Sequence, residues 1–229
     1  MPSHADRPAL AIMAKRPRDG FTKTRLCPPL TPSQAVELYE AFMLDVLQAA
    51  SEVPDLQLAV AVTPPDGVDY FESIAPRGAL LLPVECATIG RCLDRVLSSL
   101  LAMGHPMAAA LSSDSPTVSP ALIVQALDRL RDVDVVLSPG DDGGYYFIGV
   151  KARHPVLFAD DIPWSTSEVA ARTLARIRDL GLSVDLVAPI LDVDTADDLD
   201  RLRRELSRLP GDTAPHTRRV LATIDEHES

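Results

Sequence analysis

The sequence is short of cysteine and has no long apolar runs. Its three cysteines, Cys27, Cys86 and Cys92, are an odd number and lack the paired spacing of a metal site. We therefore expect reduced, mostly structural thiols, as in a cytoplasmic protein. No stretch approaches the roughly 20 apolar residues that a membrane span needs, and residues 1–8 precede no signal-peptide core. These absences predict a soluble, cytoplasmic protein without a membrane partner.

Positive charge is also scarce. The chain has 22 Lys and Arg against 33 Asp and Glu, which gives a net charge of −11. General nucleic-acid binding needs a basic face, so we do not expect nucleic acid as a partner. The 229 residues, with 46% hydrophobic and 24% charged side chains, are typical of one globular domain. We place its core at about residues 9–209, with a peripheral tail at 210–229.

Short apolar runs alternate with helical patterns from residue 9 to about residue 140. Residues 9–14 form a continuous apolar run that is typical of a buried parallel strand. Thr31, Pro32 and Gln34 then have the signature of a capped helix start. Strands that alternate with helices indicate parallel βαβ units with right-handed crossovers. The predicted fold class is therefore α/β, with a mostly parallel central sheet and helices on both faces.

A basic loop follows the first predicted strand. Residues 15–25 contain a single acid, Asp19, and Gly20 marks a turn. A basic, Gly-containing loop at this place indicates an anion site, most simply for a diphosphate. The alternative is a solvated loop that offsets acidic neighbours. The cations of the loop, which suit phosphate oxygens, are Lys15, Arg16, Arg18, Lys23 and Arg25.

A carboxylate ends another predicted strand. Asp114 directly follows the apolar run 107–111 and precedes a predicted helix. Open α/β sheets bind ligands beyond the carboxyl ends of their strands, where Asp114 would stand. The alternative is that Asp114 only caps the following turn or helix. The small neighbours that would allow close approach of a ligand are Ser113, Ser115 and Pro116.

Two acids and two glycines form a second unusual stretch. Asp141 and Asp142 precede Gly143 and Gly144, and Tyr145 begins the next predicted strand. Adjacent glycines permit positive φ and the close approach of a ligand to the backbone. An ordinary hairpin-like turn explains the same residues equally well.

The remaining candidates lie in the last third of the chain. Trp164, the only tryptophan, is a candidate pocket wall or packing residue, and Ser165 and Glu168 have capping-box spacing. Asp192 and Asp194 alternate on an extended segment, so they point the same way. Two like charges so placed are unfavourable unless water or a cation compensates them.

These stretches occur in an order that resembles the DUF2064 family of GT-A-type glycosyltransferases, also labelled arsenosugar-biosynthesis or selenodomain-associated transferases. The resemblance covers roughly residues 9–200, and the ordered set is more specific than any member alone. It implies a Rossmann-like GT-A, nucleotide-diphospho-sugar transferase fold, with similarity to nucleotidyltransferases that activate small phosphorylated acids or sugars. The motifs are Lys15-Arg16-Pro17, Lys23-Thr24-Arg25-Leu26, Ser113-Asp114-Ser115-Pro116, Asp141-Asp142-Gly143-Gly144-Tyr145-Tyr146, Ile162-Pro163-Trp164-Ser165-Thr166 and Asp192-Val193-Asp194-Thr195.

The resemblance also implies roles for single residues. Asp114 would be the metal-binding acid, but its flanking positions are Ser113 and Ser115, and the second acid of the usual Asp-X-Asp motif is missing. Asp192 or Asp194 would supply the missing carboxylate. A divalent cation, Mg²⁺ or Mn²⁺, would neutralise the charge that develops on a phosphate oxygen. The residues that would bind nucleotide phosphates are Lys15, Arg16, Gly20, Lys23 and Arg25.

Three functions are compatible with these residues. The first is a metal-dependent glycosyltransferase with a nucleotide-sugar donor and a small-molecule acceptor, in which Asp141 or Asp142 orients the acceptor hydroxyl or acts as general base. The second is an NTP-dependent nucleotidyltransferase that releases pyrophosphate and acts on a small phosphorylated acid or sugar. The third, left open by the incomplete Asp-X-Asp motif, is a nucleotide-binding module without catalysis. Apolar strand and helix faces are compatible with a homodimer.

Overall fold

The computed structural model describes residues 6–227, and a single sheet runs through this part of the chain. Its strands are β1 (Ala9–Lys15), β2 (Gln57–Thr63), β3 (Leu80–Pro83), β4 (Ala108–Ser112), β5 (Val135–Pro139), β6 (Tyr145–Val150) and β7 (Val184–Leu186). They lie in the order β3-β2-β1-β4-β6-β5-β7, and β6 runs antiparallel to both β4 and β5. The predicted α/β class and mostly parallel sheet are confirmed.

Helices connect most of the strands. They are α1 (Pro32–Ser51), α2 (Val68–Ile74), α3 (Ile89–Ala102), α4 (Pro120–Asp132), α5 (Val169–Asp179), α6 (Ala196–Leu206) and α7 (Pro215–His227). Local chemistry sets some of their starts: Thr31 and Gln34 form the predicted capping box of α1, and Thr195 with Asp198 forms a second capping box at α6. Within the described residues, no helix has both the length and the hydropathy that crossing a bilayer requires.

The two faces of the sheet differ in side-chain size. Side chains alternate along a strand, so Leu10 and Ile12 of β1 face the layer that contains α1 and α4. The opposite face of the central strands consists of small side chains, against which the apolar side of α3 packs. The sheet is therefore buried on both faces, as its continuous apolar runs predicted. The small residues are Ala9, Ala11, Ala59, Ala61, Ala108 and Ala110.

Three of the sequence motifs meet at one edge of this sheet. β1 and β4 are parallel neighbours, with Met13 opposite Ser112, so the loop after β1 and the turn after β4 leave the sheet side by side. β6 runs in the opposite direction beside β4, with Leu111 opposite Phe147. The residues that precede β6 therefore reach the same edge. This edge brings together residues 15–25, 113–116 and 141–144.

Two local expectations are wrong. Cys86 and Cys92 form a disulfide, so Cys27 is the one free thiol instead of one of three. Cys86 lies in the loop before α3 and Cys92 in the first turn of that helix, and the reversal of the chain there brings their Cα atoms to 5.5 Å, within bridging distance. Ser165 and Glu168 form no capping box, because Ser165 is left-handed (φ 64°) and α5 begins only at Val169.

The C-terminal helix α7 packs against α1. Leu221 and Ile224 of α7 are buried in the same core as the apolar side of α1. Asp45 of α1 is 4% exposed, and its carboxylate accepts hydrogen bonds from the backbone N–H groups of His216 (3.0 Å) and Thr217 (2.8 Å). A buried side chain of α1 therefore satisfies the free N–H groups at the start of a helix that lies 171 residues further on.

Replacement of Asp45 by alanine tests this contact. We expect Asp45→Ala to lower the free energy of unfolding by about 2 kcal/mol, because two buried N–H groups lose a charged acceptor. Urea or thermal unfolding measures the change. Glu37→Ala, on the exposed side of the same helix, is the matched control and should change stability by less than about 0.5 kcal/mol. Equal losses in the two variants would contradict the role given to Asp45.

Candidate active site

A cavity of about 860 Å³ opens at the sheet edge where the three motifs meet. This volume lies within the range of about 300–1,000 Å³ that is typical of small-molecule sites. Its walls also include the loop before α5 and the extended segment before α6. Cations, carboxylates and aromatic rings share the lining, represented by Lys15, Arg16, Asp114, Tyr145, Trp164 and Asp192.

Three carboxylates form the acid cluster of the cavity. One oxygen each of Asp114, Asp192 and Asp194 lies within 4.8 Å of the others. Two contacts position the later segment against β4: the Val193 N–H donates to the Asp114 carbonyl (3.1 Å), and the Ser112 hydroxyl donates to the Asp192 carboxylate (3.1 Å). Asp192 and Asp194 thus face the same side, as their alternation on an extended segment indicated.

Lys23 of the basic loop reaches into this acid cluster. Its ammonium lies 3.1 Å from Asp114 Oδ1 and 2.6 Å from Asp194 Oδ1, and its side chain is only 6% exposed. The Tyr39 ring lies beneath it, with its centroid 5.9 Å from Nζ. The structure therefore brings the basic loop and the acids to the same point, although the sequence had suggested that Lys23 contacts phosphate.

Burial and proximity perturb all four charged groups. Burial raises the pKa of Asp114 and of Asp192, and the attraction of Lys23 offsets this rise only in part. Burial also opposes ionisation of Asp194, but Lys23 outweighs it and the pKa of Asp194 is lowered. For Lys23 burial acts downward, yet the three carboxylates prevail and raise its pKa. The cluster therefore keeps the Lys23 ammonium charged, and its three carboxylates favour the binding of further positive charge.

The acid cluster fits a divalent cation. Asp114 Oδ1 is a buried oxygen whose contact within the described chain is the ion pair with Lys23 at 3.1 Å, so it has room for a further cationic partner. Carboxylate oxygens at such spacing are the ligands that Mg²⁺ and Mn²⁺ prefer. The carboxylate that the Asp-X-Asp motif lacks is present in the segment of Asp192 and Asp194, where it was predicted.

The other predicted phosphate ligands divide between the cavity and the tip of the loop. Lys15, Arg16 and Arg25 line the cavity. Gly20 lies at the tip, where its φ of 73° shapes the turn and no neighbour lies within 4 Å of the place that a Cβ would take. Arg18 also lines the cavity and pairs with Asp66 at 3.5 Å. The structure thus gives Gly20 a conformational role in the turn and brings Lys15, Arg16 and Arg25 to the cavity.

The two adjacent acids before β6 face different surroundings. Asp142 lines the cavity, its carboxylate accepts a hydrogen bond from the Gly144 N–H (2.9 Å), and burial together with the charge of this carboxylate raises the pKa of the neighbouring Tyr146. Asp141 lies outside the cavity, with its side chain 68% exposed, and pairs with Arg201 of α6. Of the two predicted catalytic acids, the structure therefore brings Asp142 to the site and directs Asp141 away from it.

The other residues that were predicted to form the pocket lie partly inside and partly outside its lining. Gly143 adopts φ 83°, and a Cβ there would lie 2.0 Å from the Ser167 carbonyl oxygen, so the space at this glycine is filled by the chain itself. Ser115 and Pro116 are buried beneath the turn, outside the lining of the cavity. Ser113 and Gly144 do line it. The glycine pair had indicated the close approach of a ligand to the backbone. At Gly143 it is instead the Ser167 carbonyl of the chain itself that comes close.

Trp164 has both of the roles that the sequence left open, as a wall of the pocket and as a packing residue. Its indole forms part of the cavity wall and lies directly over Gly90, the second residue of α3. A Cβ at Gly90 would be 2.3 Å from the indole ring. The indole N–H donates to the Ala159 carbonyl (3.1 Å), and Tyr145 contacts the ring edge-on at 6.4 Å between centroids. These contacts hold the aromatic wall in one orientation.

Tyr39 is a site residue that the sequence had indicated only as part of the core. Its hydroxyl accepts a hydrogen bond from the Lys15 N–H (2.9 Å) and shares another with the Ser113 hydroxyl (3.0 Å). It therefore joins the carboxyl ends of β1 and β4, beneath Lys23. The signal in the sequence was a tyrosine at a helical core position, where its hydroxyl needs a partner.

Known proteins share this architecture. A crystal structure from Desulfovibrio desulfuricans G20, described with the proposed activity of a nucleotide-diphospho-sugar transferase, has a TM-score of 0.87 and 25% identity, covering 96% of this chain and 98% of that one. A phosphoenolpyruvate guanylyltransferase of Conexibacter woesei is 28% identical over 208 residues, or 87% of this chain and 89% of its own. A 2-phospho-L-lactate guanylyltransferase of Methanothermobacter thermautotrophicus is 27% identical over 186 residues, or 79% and 78%.

The fold, the site and these similarities define an enzyme of the transferase class. The sheet order places the acid cluster and the basic loop at one edge, and the similar proteins are described as transferases that use nucleotides. Within this class the chain belongs to the family described as "Uncharacterized protein conserved in bacteria (DUF2064)", whose model matches residues 46–166. The resemblance that the ordered motifs carried is confirmed.

The contact between Gly90 and Trp164 can be tested by fluorescence. We expect Gly90→Ala to displace the indole, because the new methyl group would overlap the ring at 2.3 Å. The emission of the only tryptophan should then move to longer wavelength, and its quenching by acrylamide should increase. Gly211→Ala is the matched control, since no atom lies within 4 Å of its added Cβ. An unchanged spectrum for Gly90→Ala would contradict the described position of Trp164.

Proposed function

We propose that this chain is a nucleotidyltransferase that moves a nucleoside monophosphate from an NTP to the phosphate of a small phosphorylated carboxylic acid and releases pyrophosphate. One observation carries the proposal: cations of loop 15–25 and the three carboxylates line one cavity, in which Lys23 lies 3.1 Å from Asp114. A polyphosphate chain needs cations along its length, and this cavity provides them beside a candidate metal site.

The residues divide into two groups by charge. Lys15, Arg16 and Arg25 line the cavity and would bind the phosphate oxygens of the NTP. The acid cluster would hold Mg²⁺ or Mn²⁺, which when bound supplies positive charge to those oxygens. Ser113 and Tyr145 on the lining would shape the space next to the acids. The chain itself thus orients the donor and compensates its charge.

The bond changes of the proposed reaction explain why a strong general base is not required. An oxygen of the acceptor phosphate bonds to the α-phosphorus, the bond from the α-phosphorus to the bridging oxygen breaks, and pyrophosphate leaves with the electron pair. A phosphate monoester has a second pKa of about 6 and is already a nucleophile at neutral pH. Asp142 accepts a hydrogen bond from the Gly144 N–H, which suits an orienting role better than proton abstraction.

Two similarities favour this function over glycosyl transfer. The relatives from Conexibacter woesei and Methanothermobacter thermautotrophicus are both named as guanylyltransferases, of phosphoenolpyruvate and of 2-phospho-L-lactate. Both named acceptors carry a phosphate and a carboxylate on a three-carbon skeleton. GTP is therefore our first candidate donor, and a phosphorylated enol or hydroxy acid our first candidate acceptor. The glycosyltransferase hypothesis, placed first on the motifs, has less support.

A direct assay separates the two reactions. The purified chain with Mg²⁺ or Mn²⁺ is incubated with each of four NTPs and with phosphoenolpyruvate or 2-phospholactate, and pyrophosphate is measured by a coupled assay. Mass spectrometry of the mixture should detect a product equal in mass to NMP plus acceptor minus water. UDP- and GDP-sugars serve as the parallel donors. Consumption of a nucleotide sugar, with no pyrophosphate from any NTP, would refute the proposal.

The acid cluster gives a second test of the same proposal. We expect Asp192→Asn to lower the rate of pyrophosphate release by at least about 100-fold, because losing one ligand of a charge-neutralising cation removes several kcal/mol of stabilisation. Asp128→Asn, at an exposed ion pair with Arg131, is the matched control and should retain the wild-type rate. A wild-type rate of pyrophosphate release in Asp192→Asn would contradict the assignment of this carboxylate to the metal site.

A further inference from the structure

Lys23 has an unusual position for a residue of a surface loop. Its ammonium bridges two carboxylates that come from the turn after β4 and from the segment before α6. The side chain is almost completely buried, and the Tyr39 ring lies beneath it. Lysine is flexible and strongly hydrated, so it stays in such a place only when fixed charges compensate the lost water.

The backbone at Lys23 is adapted to this position. Its φ of 48° and ψ of 39° are left-handed, a conformation that is uncommon for a residue with a Cβ. The short helical turn Thr24–Leu26 follows directly, and the Leu26 N–H donates to the Lys23 carbonyl (2.9 Å). Strained conformations persist where the surroundings over-determine them, and here the ion pairs provide that constraint.

Two of the three carboxylates in the candidate metal site also hold the ammonium. Asp114 Oδ1 and Asp194 Oδ1 contact Lys23 Nζ, and these two residues with Asp192 form the acid cluster. A divalent cation coordinated by these oxygens would lie about 2.0–2.6 Å from them. An ammonium at its described place would then be in close contact with a second, stronger positive charge. Both cations cannot keep these contacts.

We propose that Lys23 is a built-in counter-ion of the acid cluster, which a divalent cation displaces, and that the displaced ammonium then binds the phosphates of the nucleotide. The first half of this inference concerns metal and lysine alone. The second half rests on the proposed function. The flexible four-carbon stem of Lys23 allows its ammonium to move from the carboxylates towards the phosphates. The phosphates would lie in the adjoining cavity, which Lys15, Arg16 and Arg25 line. Metal entry and nucleotide binding are thereby coupled through one side chain.

Lysine labelling tests the inference in the wild-type chain. The sequence contains only three lysines, Lys15, Lys23 and Lys151, so an amine-reactive acetylating reagent and peptide mass spectrometry follow each one separately. We expect Lys23 to be protected without metal and to become labelled at least fivefold faster when Mn²⁺ is added. Lys151, which bonds to the Arg131 carbonyl on the surface, should not respond. A non-hydrolysable GTP analogue added with Mn²⁺ should protect Lys23 again.

Metal affinity in variants gives a readout independent of labelling. Electron paramagnetic resonance of free Mn²⁺ measures its dissociation constant without nucleotide. We expect Lys23→Met to bind Mn²⁺ at least tenfold more tightly than wild type, because the competing charge is gone. Lys23→Arg keeps a charge and should stay near wild type, and so should Lys151→Met. Circular dichroism checks that each variant is folded. If Lys23→Met does not fold, the labelling of the wild-type chain decides whether the inference holds.

The outcomes separate this inference from the proposed function. Lys23 labelling that is unchanged while Mn²⁺ is bound, or equal or weaker Mn²⁺ binding by folded Lys23→Met, overturns the inference even if the chain releases pyrophosphate from an NTP. Metal-dependent exposure of Lys23 in a chain that uses no NTP supports the counter-ion role and refutes the proposed function alone. If Mn²⁺ exposes Lys23 to labelling but the GTP analogue does not protect it again, the second half of the inference, that the displaced ammonium binds the nucleotide phosphates, is overturned.

Discussion

The ion pairs between Lys23 and the carboxylates of Asp114 and Asp194 are the contact on which the site depends. Three acids drawn together out of water repel one another, so they remain close only if positive charge compensates them. Lys23 provides that charge and, in doing so, joins a loop near the start of the chain to a segment 171 residues later. The same electrostatic demand that fixes the loop also makes the cluster suitable for a divalent cation.

The sheet explains why these distant residues meet. Parallel neighbours β1 and β4 end at one edge, and the antiparallel β6 begins there, so both loops and the turn before β6 surround one cavity. Tyr39 joins the ends of β1 and β4 through its hydroxyl. On the opposite wall, Gly90 provides the space in which Trp164 lies. The scaffold therefore sets the distances, and a few polar contacts set the orientations.

Nucleotidyl transfer is the chemistry for which this arrangement is best suited. Cations and carboxylates that line the same cavity match a polyphosphate and a metal ion, whereas a hydroxyl acceptor would need a free general base. Asp142 is already engaged by the Gly144 N–H, and Asp141 pairs with Arg201 outside the cavity. The proposed acceptor carries its own ionised phosphate and does not need such a base. The named activities of the similar guanylyltransferases agree with this interpretation.

Periodicity and local chemistry were enough to predict the alternation of strands and helices, the capping box of α1, the basic loop and the acids that could share a cation. The sequence alone was therefore sufficient for these features. It did not determine that Lys23 pairs with Asp114, that Asp142 rather than Asp141 enters the cavity, that Ser167 fills the space at Gly143, or that Cys86 joins Cys92. Those outcomes depend on which side chains meet after the chain has folded. Tertiary structure decided them, since the direction of each turn and the packing beneath it are set by contacts between segments far apart in the sequence.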